Sequence, residues 1–142
     1  MPHPALGIDC GDSRVGIAAT DPLGILAHPV ETIDVRRADP LPRIATLVAE
    51  RGIRTLVVGL PLRMDGSEGT ASEKARAFAD RLRMHISGVP VVLVDETLTT
   101  AAAAAKLRAA GKKAKHHRPL IDQAAAVEIL NEWMQTLPGD SE

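Results

Sequence analysis

Aromatic side chains are nearly absent from this 142-residue chain: Phe78 and Trp133 stand alone, and there is no tyrosine. That scarcity argues against a base-stacking platform of the kind used by many single-strand binders. Cys10 is the only cysteine, which excludes an internal disulfide and argues against a structural zinc site built on thiolates. A lone cysteine also fits a reducing cytoplasm. No apolar run approaches the roughly 20 residues a membrane-spanning helix needs. Met1-Pro2-His3-Pro4 lacks a basic region followed by an apolar run, so no signal peptide and no membrane partner are expected. Charge of one sign is missing too, with 17 Lys and Arg against 18 Asp and Glu. The sum therefore does not announce a nucleic-acid partner, and distribution matters more. The length suits one domain with a sizeable core, expected over residues 1–137, with 138–142 as a frayed tail.

What is present begins with Ala5-Leu6-Gly7-Ile8-Asp9-Cys10-Gly11, which reads as a buried strand with a carboxylate set into it. A turn at Gly11-Asp12 leads to a second strand, Val15 to Thr20, and Ile25 to Val35 reads as a third, interrupted by Pro29. Short connections imply an antiparallel meander. Asp39-Pro40 signals a helix start and Gly52 its stop, with Leu41, Ile44, Leu47 and Val48 as the apolar stripe. Thr55 to Gly59 reads as a strand covered on both faces. Beyond a glycine-rich loop from Pro61 to Gly69, Thr70 and Glu73 have capping-box spacing and open a second helix. Its buried face is Ala75, Phe78, Ala79, Leu82 and Ile86. Val89 to Val94 is the fifth strand, a third helix is expected from near Thr99 to Gly111, and a last one starts after Pro119 and runs to about Gln135. The expected fold is α/β: a mixed five-stranded sheet, an antiparallel meander followed by parallel strands, with helices on both faces.

Carboxylates stand out at three places. Asp9 lies in a strand, where aspartate is disfavoured and costly to bury unless paired, hydrogen-bonded or bound to a cation. It reads either as a cap for the following turn or as a metal ligand. Asp122 shares a helical face with Ala125, Ala126, Ile129 and Trp133, the apolar face, although a first-turn aspartate also suits the helix dipole. Asp95 and Glu96 end an apolar strand, where open α/β sheets place ligand sites, and periodicity leaves open which of the two is used. Oxygen-only ligands favour Mg²⁺ or Mn²⁺ over zinc, and a pair of such ions supports phosphodiester hydrolysis. Basic residues gather just before Asp122: Lys106, Arg108, Lys112, Lys113, Lys115 and Arg118, with His116 and His117 and no acid among them. With Arg14, in the turn after Asp9, they are the expected phosphate contacts.

These motifs carry a resemblance. Gly7-Ile8-Asp9-Cys10-Gly11 with Arg14-Val15-Gly16-Ile17-Ala18 resembles the opening of the YqgF family, also called RuvX-like. Val57-Val58-Gly59-Leu60-Pro61-Leu62 leading to Met64-Asp65-Gly66-Ser67-Glu68-Gly69 is similar to its central motif. Asp95-Glu96-Thr97-Leu98-Thr99-Thr100 and Ile121-Asp122-Gln123-Ala124-Ala125-Ala126 resemble its remaining two. The resemblance implies an RNase H-like fold and a metal-dependent nuclease, described for the family as a resolvase of Holliday junctions or a nuclease maturing the 5′ end of pre-16S ribosomal RNA. It places Asp9, Glu96 and Asp122 on the acidic catalytic, metal-holding positions. The family usually has arginine directly after the glutamate; here that position is Thr97, with Arg63 or the basic segment as the cations that would compensate. The implied partner is structured RNA or branched DNA, and a junction resolvase would act as a homodimer. Two other readings stand beside the nuclease. An actin-like kinase needs two such domains. A non-catalytic RNA-binding or ribosome-assembly factor would have no need of three inward acids.

Overall fold

The computed structural model describes residues 2–97 and 121–137. Its sheet has five strands in the order β3-β2-β1-β4-β5, built from β1 (Ala5–Cys10), β2 (Arg14–Thr20), β3 (Ala27–Asp34), β4 (Thr55–Leu62) and β5 (Val91–Thr97). β1 pairs antiparallel with β2 and β2 with β3, while β1–β4 and β4–β5 are parallel. This is the mixed sheet expected, a meander continued by crossover strands. The helices are α1 (Pro40–Arg51), α2 (Thr70–His85) and, for residues 121–136, α3. The helix expected from Thr99 to Gly111 lies outside the described residues, as does the tail from 138 onward.

Helices cover both faces. Leu41, Ile44 and Leu47 of α1 and Ala75, Phe78, Ala79 and Leu82 of α2 pack with Leu6, Ile8, Ile17, Leu56 and Val58. On the other face Ala126, Ile129, Leu130 and Trp133 of α3 pack with Ala5, Ala18 and Val57. Strand alternation does the sorting: neighbours such as Val57 and Val58 enter different cores. Burying each large apolar side chain stabilises the fold by about 1.5–3 kcal/mol before entropy is counted. The far end of α3 is further held by Trp133, which meets the His3 ring edge-on at 5.3 Å.

α1 follows its local signals. Asp39 caps it, its carboxylate accepting from the Leu41 N–H at 3.1 Å, and Gly52 closes it in the left-handed region at φ 63°. Other boundaries differ from expectation. β3 starts at Ala27 rather than Ile25, because the Asp21 carboxylate takes the N–H groups of Ile25 and Leu26 at 2.8 and 3.3 Å and makes them a turn. Pro29 is tolerated because β3 is an edge strand and a bulge there leaves Val30 without a register partner opposite β2. β4 runs on to Leu62, held by β5, whose pairing extends to Thr97. The Asp95-Glu96 pair therefore lies inside a strand. The capping box of Thr70 and Glu73 is not what opens α2: Gly69 is the cap, and its N–H donates to Ser72 Oγ at 3.1 Å. That hydroxyl also donates to the Pro61 carbonyl, so one buried serine ties the end of β4 to the start of α2.

Candidate active site

The central strand carries Asp9 to the α3 face. A Cβ on Gly7 would meet Leu130 and the Ala126 carbonyl of α3, and Asp9, two residues on, points the same way. Asp9 stands opposite Gly16 in the β1–β2 register. A Cβ on Gly16 would lie 2.1 Å from the Asp122 carbonyl oxygen, so the first turn of α3 rests on the glycine beside Asp9. On β5, Val92 and Val94 join the α3 core, and alternation places Glu96 on that face. A Cβ on Gly59 of β4 would come 3.1 Å from Glu96 Oε2 and 2.5 Å from Ile129 Cδ1, which locates that carboxylate beside α3 as well. Asp95 faces the other way and is exposed. Three acids from two strands and a helix thus share one face, at the carboxyl end of β1 and β5. Gly16 and Gly59 let α3 pack close against the sheet beside them.

Among the described residues, Arg14 is a cation at this face. Its Nε donates to Asp122 Oδ2 at 2.9 Å, across 108 residues of sequence, with the two side chains about one quarter exposed at 25% and 22%. Gln123, next in α3, donates from Nε2 to Thr32 Oγ1 at 3.1 Å and fixes the helix start over β3. Neither contact leaves a local signal in the sequence. The expected phosphate contacts Lys112, Lys113, Lys115, His116 and Arg118 lie outside the described residues.

Cys10, adjacent to Asp9, turns to the opposite face. Burial first, and the Asp9 charge second, push its thiol up to about 12, partly offset by Arg81. It stays protonated at neutral pH and is no nucleophile. A cavity of about 1020 Å³ opens on this opposite face, lined by Cys10, Asp12, Asp39, Lys74, Phe78 and Arg81 among others, and contains none of the three acids. Its own carboxylates are already paired, Asp12 with Lys74 and Asp39 with Arg81.

A divalent cation can be tested against the acidic face. Three carboxylates are hard oxygen donors of the kind Mg²⁺ and Mn²⁺ take. Among the described residues, no three His, Cys, Asp or Glu side chains are already closed into a ligand cluster. The residues fit in donor chemistry and shared face. Closing them around an ion takes side-chain rotation, above all at Asp122, whose Oδ2 is held by Arg14.

A mixed sheet in this order, with an acid on its central strand turned towards α3, defines an α/β domain of the architecture expected from the sequence. The chain belongs to the RuvX family, whose model, described as "Holliday junction resolvase", matches residues 3–136. Relatives carry the name "Putative pre-16S rRNA nuclease". That of Rhodococcus erythropolis is 44% identical over 146 residues, covering 96% of this chain and 82% of the relative. That of Mycolicibacterium paratuberculosis is 49% identical over 130 residues, covering 91% and 78%. That of Nocardia farcinica is 46% identical over 136 residues, covering 91% and 76%. Among solved structures, Archaeoglobus fulgidus Pelota superposes at a TM-score of 0.43 with 11% identity, over 93% of this chain and 34% of that one, a likeness too low to argue from.

Proposed function

We propose that this chain is a divalent-metal-dependent endonuclease that hydrolyses phosphodiester bonds in structured RNA, trimming the 5′ end of pre-16S ribosomal RNA. The observation that carries the reading is that Asp9, Glu96 and Asp122 lie on one sheet face, where Gly16 and Gly59 let α3 pack close. Three inward acids repel a phosphate unless cations sit between them, so a module that merely binds RNA gains nothing from them. The names of the relatives support RNA as the substrate. The family description supports a DNA four-way junction as the competing substrate, which would call for a homodimer.

In this mechanism Asp9, Glu96 and Asp122 would hold Mg²⁺ or Mn²⁺. When bound, such ions lower the pKa of a coordinated water and stabilise the leaving oxygen. The rigid β1 and β5 strands fix two of the acids, and α3 brings the third over β2. Arg14 and the segment carrying Lys112, Lys113, Lys115, His116 and Arg118 take the flanking phosphates, which positions the backbone without reading its sequence.

The test is a cleavage assay with wild type and Asp9→Asn, on a pre-16S RNA fragment and a DNA four-way junction side by side, with Mn²⁺, Mg²⁺ or chelator. Metal-dependent cutting of the RNA that disappears in the variant supports the reading. Junction cutting alone moves the substrate to DNA. Binding without cutting under every condition replaces the nuclease with an assembly factor.

A further inference from the structure

The structure brings into contact two residues that have separate tasks in the nuclease reading: Arg14, for phosphate, and Asp122, for metal. We infer that Arg14 is a positioning residue that makes occupation of Asp122 by a divalent cation depend on a phosphate diester at its own guanidinium. The inference rests on the proposed function for the roles of the two ligands, and on the ion pair itself for the coupling.

The geometry supplies the argument. Arg14 Nε donates to Asp122 Oδ2 at 2.9 Å, so the carboxylate faces the guanidinium. Asp122 cannot slide away as a unit, because its main chain rests on Gly16, and Gln123 is tied to Thr32. Arg14 is equally fixed at its backbone: it begins β2, lies opposite Asp34 in register, and its carbonyl accepts the Gly11 N–H at 2.9 Å. Side-chain rotation is then the available adjustment. A divalent ion at Asp122 loses affinity to the adjacent positive charge and must compete with Arg14 for the carboxylate. A diester drawing the guanidinium away removes both penalties. Linkage makes the effect reciprocal, so the ion strengthens diester binding by the same factor. The pair is about three-quarters buried, which shields it from the screening that makes fully exposed pairs nearly worthless. An enzyme built this way loads metal on its acids chiefly when a backbone is present.

The test measures Mn²⁺ binding by the EPR signal of the free ion, with and without dimethyl phosphate, in wild type, Arg14→Gln, Arg14→Lys and Asp122→Asn. Arg14→Gln should bind Mn²⁺ about fivefold or more tightly than wild type without phosphate, within the usual range of coupling between sites, and respond less to the diester. Arg14→Lys should retain part of the diester response, because its charge remains while the planar fork is lost. A diester that merely coordinates the ion would strengthen Mn²⁺ binding alike in wild type and Arg14→Gln. An Arg14→Gln affinity equal to or below wild type overturns the coupling. If Asp122→Asn binds Mn²⁺ as wild type does, the metal reading itself falls, and the coupling with it. Should Arg14→Gln fail to fold, wild type and Asp122→Asn decide: a diester response of the same size in both overturns the coupling.

Discussion

Gly16 carries the Asp122 backbone: the carbonyl oxygen of Asp122 sits 2.1 Å from where a Gly16 side chain would begin. No rotamer change relieves a main-chain contact. Gly16→Ala must push the start of α3 off the sheet, at a cost of about 1–3 kcal/mol for overpacking. Urea denaturation should show the lost stability, and cleavage should fall further than stability does, since Asp122 moves with the helix.

Gly59 offers a graded version of the same experiment. A Cβ there presses on the Ile129 side-chain end at 2.5 Å and stands 3.1 Å from Glu96 Oε2. The isoleucine can shift, so Gly59→Ala should cost less stability than Gly16→Ala. Activity should still drop through the displaced Glu96, and comparing denaturation midpoints with cleavage rates separates the two effects.

Ser72 is 1% exposed and serves two partners, accepting from the Gly69 N–H and donating to the Pro61 carbonyl. Ser72→Ala strands both main-chain groups and should destabilise the fold by about 1–3 kcal/mol. Thr70→Ala, at the position the sequence pattern singled out, should change the urea midpoint far less.

Cys10 gives a pH signature. Its thiol titrates near 9.0 when unfolded and at about 12 in the folded protein, so the fold holds the proton more tightly. The stability this lends is complete below the unfolded value and is lost as pH rises from 9.0 towards about 12. Denaturation midpoints of wild type against Cys10→Ala should converge over that interval. At pH 8 a thiol-reactive dye should label the native protein slowly and the unfolded chain at once.

Sequence patterns reached the architecture because most of it is local. Asp39, Pro40 and Gly52 punctuate α1, and the spacing of Phe78, Ala79 and Leu82 gives the buried side of α2. Asp9 and Asp122 stood out because each is a carboxylate in an otherwise apolar stretch. Choosing Glu96 over Asp95 was different. Alternation says only that the two point apart; which one meets α3 depends on how β5 docks on β4, a non-local fact. The Arg14–Asp122 contact spans 108 residues and has no local trace. Ser72 escaped for another reason: its partner at the cap is glycine, which has no side chain to complete a recognisable capping box.

The serine clasp also divides its neighbourhood into frame and insert. Pro61 and Gly69 are pinned to Ser72, while the chain between them closes on itself through Arg63, whose N–H donates to the Ser67 carbonyl at 2.9 Å and whose carbonyl accepts the Gly66 N–H at 2.8 Å. Leu62 belongs to the sheet, paired with Thr97, and Glu68 is tied to Arg76 of α2, so strand and helix do not rely on residues 63–67 for their relative placement. That stretch behaves as a cassette: it can be exchanged or lengthened, leaving the acids of the opposite sheet face where they are.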